Sequence, residues 1–286
     1  MAVYDYAETF MRELAQKYSR EMISNDLTLS NPGIKFLNAQ TIKIPRMTVS
    51  GYKDHSRSSM GFNAGTITND WEPKKLTHDR DVEFAIDPMD IDETNLVVEI
   101  ANIQNVFEEE QAIPEKDSYR FSKLYTEAKT NKSKGAVIDN TTLTAANILD
   151  WFDEQMAIMD DQSVPQEGRM LYVTSAMNKL LKSAEGVTRV ISAGAAGVID
   201  RRVHALDDVN FTNGCAPAAA AKQMNIMLVH PSCVISRDKY AYMKLFTPGT
   251  DSRTADKYVY QNRYYTDTFL IERKSCGIAI NAEAEG

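Results

Sequence analysis

The clearest hydrophobic period in the chain runs from about residue 90 to residue 129. Apolar residues recur at helical spacing over 96–107, and the same period resumes over 117–128. A continuous helix would span roughly 50–60 Å at 1.5 Å per residue, which is long for a chain of this size. Because Pro114 removes a backbone donor, the pattern leaves two alternatives open: one long kinked helix, or two helices that meet there.

A second amphipathic pattern covers residues 4–24. Phe10 and Leu14 lie on its apolar face. A lone helix with one apolar stripe has to bury that stripe, either on its own chain or across a neighbour as an arm. The sequence leaves both possibilities open.

Strand-like alternation follows over 41–49, where Pro45 favours an edge position. Beyond a polar, glycine-bearing loop, residues 67–86 predict a second ribbon. In this prediction 67–71 and 76–86 pair as a polar hairpin, and 72–75 forms the turn, with Pro73 at its second position. Such a hairpin is at best marginally stable alone in water, so it requires a partner surface.

The remaining chain alternates between helical and strand patterns. Residues 142–161 and 175–186 predict helices, while 169–174, 194–206 and 224–234 predict strands of a compact α/β lobe. Residues 258–281 are rich in tyrosine and β-branched residues, which indicates strands again. A break is expected over 274–277.

Composition and charge narrow the class of protein. Hydrophobic residues make up 43% of the 286 residues and charged residues 25%, as in ordinary globular proteins. The net charge of −8 disfavours tight, non-specific nucleic-acid binding. The three cysteines are far apart, so a disulfide framework or zinc site is not expected, and a reducing cytosol fits best. No apolar run approaches the roughly 20 residues that cross a bilayer, so no membrane partner is expected.

Motifs that carry chemistry are absent from the sequence. It has no phosphate-binding glycine loop and no nucleophile elbow, and none of the four histidines has a helical partner at i+4. The acidic run 108–110 is interpreted as a solvated helix face, or as a complement to a basic surface on a neighbour. We therefore expect no enzyme, no catalytic residues, no cofactor and no metal. An enzyme with an unrecognised site is the weaker alternative.

Three stretches of this sequence carry a family resemblance. They are LTHDRDVEFAIDPMDIDET and AIPEKDSYRFSKL, both within 61–124, and the closing YQNRYYTDTFLIERKSCGIAI. In these stretches the chain resembles tailed-bacteriophage major capsid proteins of the Hong Kong 97 type. The matching segments cover about a third of the chain, and the order of elements agrees across the rest.

The resemblance implies an α+β, Hong Kong 97-like capsid fold in five parts. Residues 1–37 would form an N-terminal arm and 38–87 an extended hairpin loop. Residues 88–135 would form a peripheral domain with a spine helix, 136–235 an axial α/β domain, and 236–286 the return strands. The inter-subunit contacts would then include Trp71, Pro73, Lys74 and Lys75 in the hairpin, and Phe10 and Leu14 in the arm.

The function implied is that of a structural shell protein of the virion. Copies would assemble in the host bacterial cytoplasm, as hexamers and pentamers of an icosahedral shell around double-stranded DNA, without sequence specificity. Further partners would be a portal and decoration proteins, and a separate scaffolding protein, since the sequence has no scaffolding extension before the arm. The alternative is an encapsulin-like nanocompartment shell, which has the same fold but carries enzyme cargo.

Overall fold

The structure, a computed structural model, describes residues 22–28, 41–55, 61–89, 100–184, 192–193, 199–200, 205–206, 209–213, 223–249 and 256–283. Backbone contacts divide the chain into two compact units, Pro32–His78 and a larger unit that joins Met1–Asn31 to Asp79–Gly286. The predicted arm residues Phe10 and Leu14 lie outside the described residues. The end of that predicted helix is instead a 3₁₀ turn, Ile23–Thr28. The five-part domain division stays a prediction.

The smaller unit contains a two-stranded antiparallel ribbon. Strands β1 (Thr41–Val49) and β2 (Ile67–Lys75) pair along their whole length, from Thr41 opposite Lys75 to Val49 opposite Ile67. The predicted strand over 41–49 is confirmed. Its proline is tolerated because both strands are edges, where a missing backbone donor can face away from the ladder.

The predicted hairpin within 67–86 is wrong. Residues 72–75 are extended and pair with β1, while β3 (His78–Ile86) joins a different sheet beside β12 (Tyr258–Leu270). The reason is the apolar alternation of β3. Its Phe84 ring lies 5.4 Å from Phe107 and 6.3 Å from Tyr260, whereas the side chains of β2 are mostly exposed.

A six-stranded mixed sheet forms the centre of the larger unit. Its order is β4 (Val137–Asp139), β13 (Ile278–Ala282), β10 (Met224–Val229), β5 (Met170–Val173), β9 (Val209–Asn213) and β8 (Ala205–Leu206). The pairs β4–β13 and β5–β9 are parallel, whereas the other pairs are antiparallel. The last strand of the chain thus lies between β4 and β10.

Helices cover both faces of this sheet. Helix α3 (Ile148–Asp161) and helix α4 (Ser175–Ser183) pack on the face that carries Leu171, Val173, Ile226 and Leu228. Helix α2 (Ile113–Thr130) and the 3₁₀ turn Ile23–Thr28 pack on the other face, which carries Tyr172, Met227, Val229 and Ile280. Alternate side chains of each strand therefore supply two separate cores, as the period of a strand requires.

The long helix spans 100–130 without a gap. It consists of α1 (Ile100–Phe107), one π-helical turn (Glu108–Ala112) and α2. The backbone N–H of Ile113 donates to the carbonyl of Glu108, five residues earlier. Pro114 becomes the second residue of α2, where its missing donor is tolerated, so the one-helix alternative is correct. Residues 90–99 lie outside the described residues.

The outer strands complete the larger unit. Strand β11 (Val234–Phe246) pairs antiparallel with β12, with one irregularity between Asp238 and Tyr240, and β3 flanks β12 on its other side. The remaining elements are short: β6 (Ser192–Ala193), β7 (Ile199–Asp200), and 3₁₀ turns Lys132–Lys134, Pro231–Cys233 and Glu272–Gly277. The break predicted over 274–277 is confirmed, but the length of β11 was not predicted.

Candidate assembly surfaces

One face of the β1–β2 ribbon is apolar and exposed. Residues directly opposite each other in an antiparallel pair lie on the same face. In the register of this ribbon, Val49 lies opposite Ile67 and Pro45 opposite Trp71, while Met47 and Pro73 continue the same face. The exposed fractions are 63% for Val49, 73% for Ile67, 62% for Met47 and 51% for Trp71. Contiguous exposed apolar side chains of this kind mark an interaction surface.

The charges of the ribbon are divided between its two faces. Lys43 and Lys75 share the apolar face, while Asp70 and Glu72 lie on the opposite face. Lys74 is also on that opposite face, where its Nζ lies 3.1 Å from a carboxylate oxygen of Glu72. The apolar face of the two strands therefore carries two positive charges and no negative one.

The predicted contact residues of the ribbon do not all share this surface. Trp71, Pro73 and Lys75 lie on the apolar face, whereas Lys74 is half-buried on the other. Sequence reasoning did not name Met47, Val49 or Ile67 as contact residues, and it described the hairpin predicted over 67–86, which includes β2, as polar. The alternation of β1 was visible, but its apolar face is defined only once β1 pairs with β2.

The ribbon ends in a loop with exposed aromatic rings. The N–H of Ser50 donates to the carbonyl of Thr66 at 3.0 Å, which closes the base of the loop. The Asn63 side chain donates to the Asp54 carbonyl at 2.8 Å. Tyr52 and Phe62 are fully exposed at this end. The described part of the loop thus adds two exposed aromatic side chains at the end of the ribbon.

A buried polar cluster holds residues 22–28 against helix α2. Asp117 is fully buried and accepts hydrogen bonds from the N–H of Ile23 at 3.0 Å, the N–H of Ser24 at 3.1 Å and the hydroxyl of Ser24 at 2.6 Å. The Arg120 guanidinium donates to the same hydroxyl at 2.9 Å. Burial lowers the pKa of Arg120, while Asp238 and Asp117 oppose that effect. Residues 22–28 of the predicted arm are therefore fixed to the long helix.

The acidic run 108–110 is not simply a solvated face. It forms the π-helical turn, and the Glu108 carboxylate accepts hydrogen bonds from Asn262 and Tyr260 of β12. Farther along the helix, Arg80 of β3 pairs with Glu115 at 2.7 Å. The interpretation of Glu108 as solvated is thus wrong. The sequence did not show that Asn262 and Tyr260 of β12 would face this carboxylate.

Burial shifts the pKa values of two titratable groups elsewhere in the larger unit, Cys233 and His230. Burial raises the pKa of the Cys233 thiol to about 12, and burial lowers the pKa of His230, whose ring contacts the Ser232 hydroxyl at 2.7 Å and the Glu167 carbonyl at 3.1 Å.

Among the described residues, no group of three or more His, Cys, Asp or Glu side chains is arranged to hold a metal ion. No described helix is both long and apolar enough to cross a membrane.

Comparisons with known proteins connect this geometry to a class of structure. No protein-family model and no curated protein sequence matches the chain. Among solved structures, the capsid of cyanophage P-SCSP1u is similar over 98% of this chain and 93% of that one, with a TM-score of 0.74 and 12% identity. The mature capsid of bacteriophage PhiM1 matches over 98% and 92%, with a TM-score of 0.70 and 12% identity. A structure from Mycobacterium phage Che8 matches over 96% of both chains, with a TM-score of 0.67 and 12% identity.

The chain therefore has the fold of phage capsid structures over nearly its whole length. The α+β class and the long helix predicted from the sequence are confirmed. The resemblance to capsid proteins is confirmed at the level of the fold, while the Hong Kong 97 type and its separate subdomains stay predictions.

Proposed function

We propose that this protein is the major capsid protein of a tailed phage, a structural component whose copies form the shell of the virion. The observation that carries the proposal is the match to phage capsid structures over 96–98% of the chain. A fold alone does not define a function. The exposed apolar face of the ribbon adds a reason specific to this chain, since that face gains burial only against another surface.

The ribbon supplies the contact between copies in this proposal. Its apolar face would lie on a neighbouring copy, so that each subunit covers part of the next. Trp71 and Pro73, predicted from the sequence, would take part together with Met47 and Ile67. Residues 1–37, with Phe10 and Leu14, would act as an arm that the contact between Ser24 and Asp117 fixes to the long helix.

The assembly would consist of hexamers and pentamers that close an icosahedral shell around double-stranded DNA. The net charge of −8 suits a container whose DNA has to be packed and later released, because strong attraction would oppose release. A separate scaffolding protein, a portal and decoration proteins would be the other partners. Assembly would take place in the cytoplasm of the bacterial host.

Electron microscopy and sedimentation of the purified full chain test the proposal. We expect closed particles from the unaltered protein, with or without a scaffolding protein. A variant with Ile67→Ser and Trp71→Ser keeps the ladder of the ribbon but loses its apolar face, so it should remain folded and fail to form particles. Met89→Ser, which changes a 70% exposed side chain outside the ribbon, is the matched control and should assemble normally.

Two results would contradict the proposal. A protein that stays monomeric under all assembly conditions is not a shell subunit. Native particles that contain enzyme cargo in place of DNA would instead establish the nanocompartment alternative, which none of the similar structures named above favours.

A further inference from the structure

Two turns of the larger unit carry a concentration of positive charge. The first covers 129–134, at the end of helix α2, and the second covers 272–274, in the 3₁₀ turn before β13. We call these two segments the basic turns. Together they contain five of the 32 basic residues of the chain but only one of its 40 acidic residues. The five cations are all exposed: Lys129, Lys132, Lys134, Arg273 and Lys274.

The fold holds the basic turns side by side, although they are far apart in sequence. The hydroxyl of the buried Ser275 donates to the carbonyl of Lys134, 141 residues earlier, at 2.7 Å. Gly135 has a φ of +103°, and a Cβ at this position would lie 3.2 Å from the Cβ of Cys276. This close approach therefore depends on glycine, and it fixes the position of one turn relative to the other.

Carboxylates neutralise only part of this charge. Glu272, the acidic residue within the basic turns, pairs with Lys134. Glu127, which precedes the first turn in helix α2, is half-buried. With both carboxylates counted against the five cations, a net charge of +3 remains here, in a chain whose total charge is −8.

Helix stability accounts for only some of these cations. A positive charge near the C-terminus of a helix is favourable for the helix itself, and Lys129 and Lys132 lie at that end of α2. Arg273 and Lys274 come from a separate turn near the end of the chain. The joint positive surface thus exceeds what the helix requires.

We infer that the basic turns bind phosphate groups of a DNA backbone. The inference rests on the proposed function and deepens it, because it names the surface of the shell protein that contacts the packaged DNA. Lysine and arginine side chains bind backbone phosphates without reading the base sequence. Five exposed cations on two adjacent turns match a row of phosphates better than they match a single small anion.

The expected contact is weak for one copy and strongly dependent on salt. The logarithm of the binding constant falls against the logarithm of salt concentration with a slope of about −0.9 for each phosphate neutralised. Because Lys134 is paired with Glu272, four cations are left for phosphates, and the slope should be about −3 to −4. An acidic chain with one local basic surface can therefore hold DNA in place and still release it.

Binding of a short DNA duplex to the unassembled full chain tests the inference by fluorescence anisotropy over a range of salt concentrations. A variant with Lys132→Gln and Lys274→Gln should bind at least about tenfold more weakly at low salt, with a slope smaller by about two. Lys132→Arg with Lys274→Arg keeps both charges and should bind as the unaltered chain does. The matched control is Lys179→Gln with Lys182→Gln on helix α4, which changes the net charge equally and should leave the affinity unchanged.

Polyglutamate separates DNA from an acidic protein segment as the partner. At the same concentration of negative charge, the duplex should bind more tightly than polyglutamate. Tighter binding of polyglutamate, lost in the Lys132→Gln and Lys274→Gln variant, would assign the basic turns to a protein partner and overturn the assignment to DNA.

Particle formation, followed separately by electron microscopy, distinguishes failure of this inference from failure of the proposed function. If the unaltered chain does not bind the duplex at low salt, or if the control on helix α4 loses as much affinity as the variant of the basic turns, the inference is wrong although the shell function stands. If the unaltered chain binds the duplex but never forms particles, the proposed function fails instead.

Discussion

The Asp117 carboxylate accepts both the backbone N–H and the hydroxyl of Ser24, although 93 residues separate the two in sequence. The hydroxyl hydrogen bond is 2.6 Å long, and both residues are fully buried. A buried carboxylate is tolerated only when it is hydrogen-bonded or paired. Here Ile23 and Ser24 donate to the carboxylate, and the Arg120 guanidinium donates to the Ser24 hydroxyl beside it. The start of the described chain is thereby fixed to the long helix by a specific polar contact as well as by apolar packing.

Asp117→Asn should destabilise the chain strongly. The change removes the negative charge beside the buried Arg120 guanidinium, and breaking a buried charged cluster costs about 3 kcal/mol or more. Asp238→Ala is the comparison: this carboxylate is half-exposed and lies 3.8 Å from the same guanidinium, so its loss should cost less than the loss of the fully buried Asp117 carboxylate. Urea unfolding of the unassembled chain measures both. Equal losses would show that the Asp117 cluster is not a principal contact.

Arg169→Met should loosen the loop between α3 and β5. The Arg169 side chain is fully buried and donates to the Pro165 carbonyl at 2.9 Å, the Val164 carbonyl at 2.8 Å and the Asp160 carboxylate. Methionine fills a similar volume but leaves these acceptors unsatisfied, at a cost of about 3 kcal/mol. Limited proteolysis should reveal new cleavage within 162–168.

Arg263→Met is the comparison for this prediction. Arg263 also binds a carboxylate, that of Asp79, at 2.6 and 3.0 Å, but both side chains are largely exposed. Surface ion pairs contribute little to stability, so this variant should unfold close to the unaltered chain. A similar loss for both arginine variants would contradict the importance of burial.

Asp139 should make folding sensitive to acid. Burial by itself raises the pKa of this carboxyl, but hydrogen bonds from Thr141, Asn281 and Trp151 outweigh burial and hold its pKa below the ordinary value. As the pH falls, the unfolded chain binds this proton first. The contribution of Asp139 is therefore present above about pH 4 and is lost as the pH falls through the lower pKa of the folded state.

Unfolding of the unaltered chain and of Asp139→Asn over a range of pH measures this effect. The stability difference between the two should be largest near neutral pH and should shrink below about pH 4. Thr141→Val removes the hydroxyl that donates to Asp139, so the stability of this variant should depend less on pH than the stability of the unaltered chain. A difference that stays constant over the pH range would contradict the role of Asp139.

The two tryptophans should respond differently to assembly. Trp71 lies on the apolar face of the ribbon and is half-exposed, whereas Trp151 lies on the buried face of α3 and donates to Asp139 at 2.9 Å. If the ribbon docks on a neighbouring copy, the emission of Trp71 should move to shorter wavelength as particles form. A Trp71→Phe chain, which retains only Trp151, should show no such shift. An unchanged spectrum of the unaltered chain on assembly would exclude Trp71 from the contact.

Local pattern was sufficient for several elements. The apolar period over 96–107 and 117–128 predicted the long helix, alternation predicted the strand over 41–49, and a short apolar run of the buried type predicted the strand over 169–174. Such periods reflect which side of a single element is buried, so they are readable without knowing the partner. The stretches shared with capsid proteins likewise indicated the fold that the structure has.

What the sequence alone determined, then, was the type of most elements and the class of fold. Only the tertiary structure decided which elements pair: residues 72–75 lie against β1, β3 joins β12, and Asp117 reaches Ser24. The physical reason is that alternation specifies the two faces of a strand but not its neighbour, since backbone hydrogen bonds are alike for every sequence. Partners far apart in the chain are selected by the combined burial of whole elements, which becomes defined only when the chain is folded.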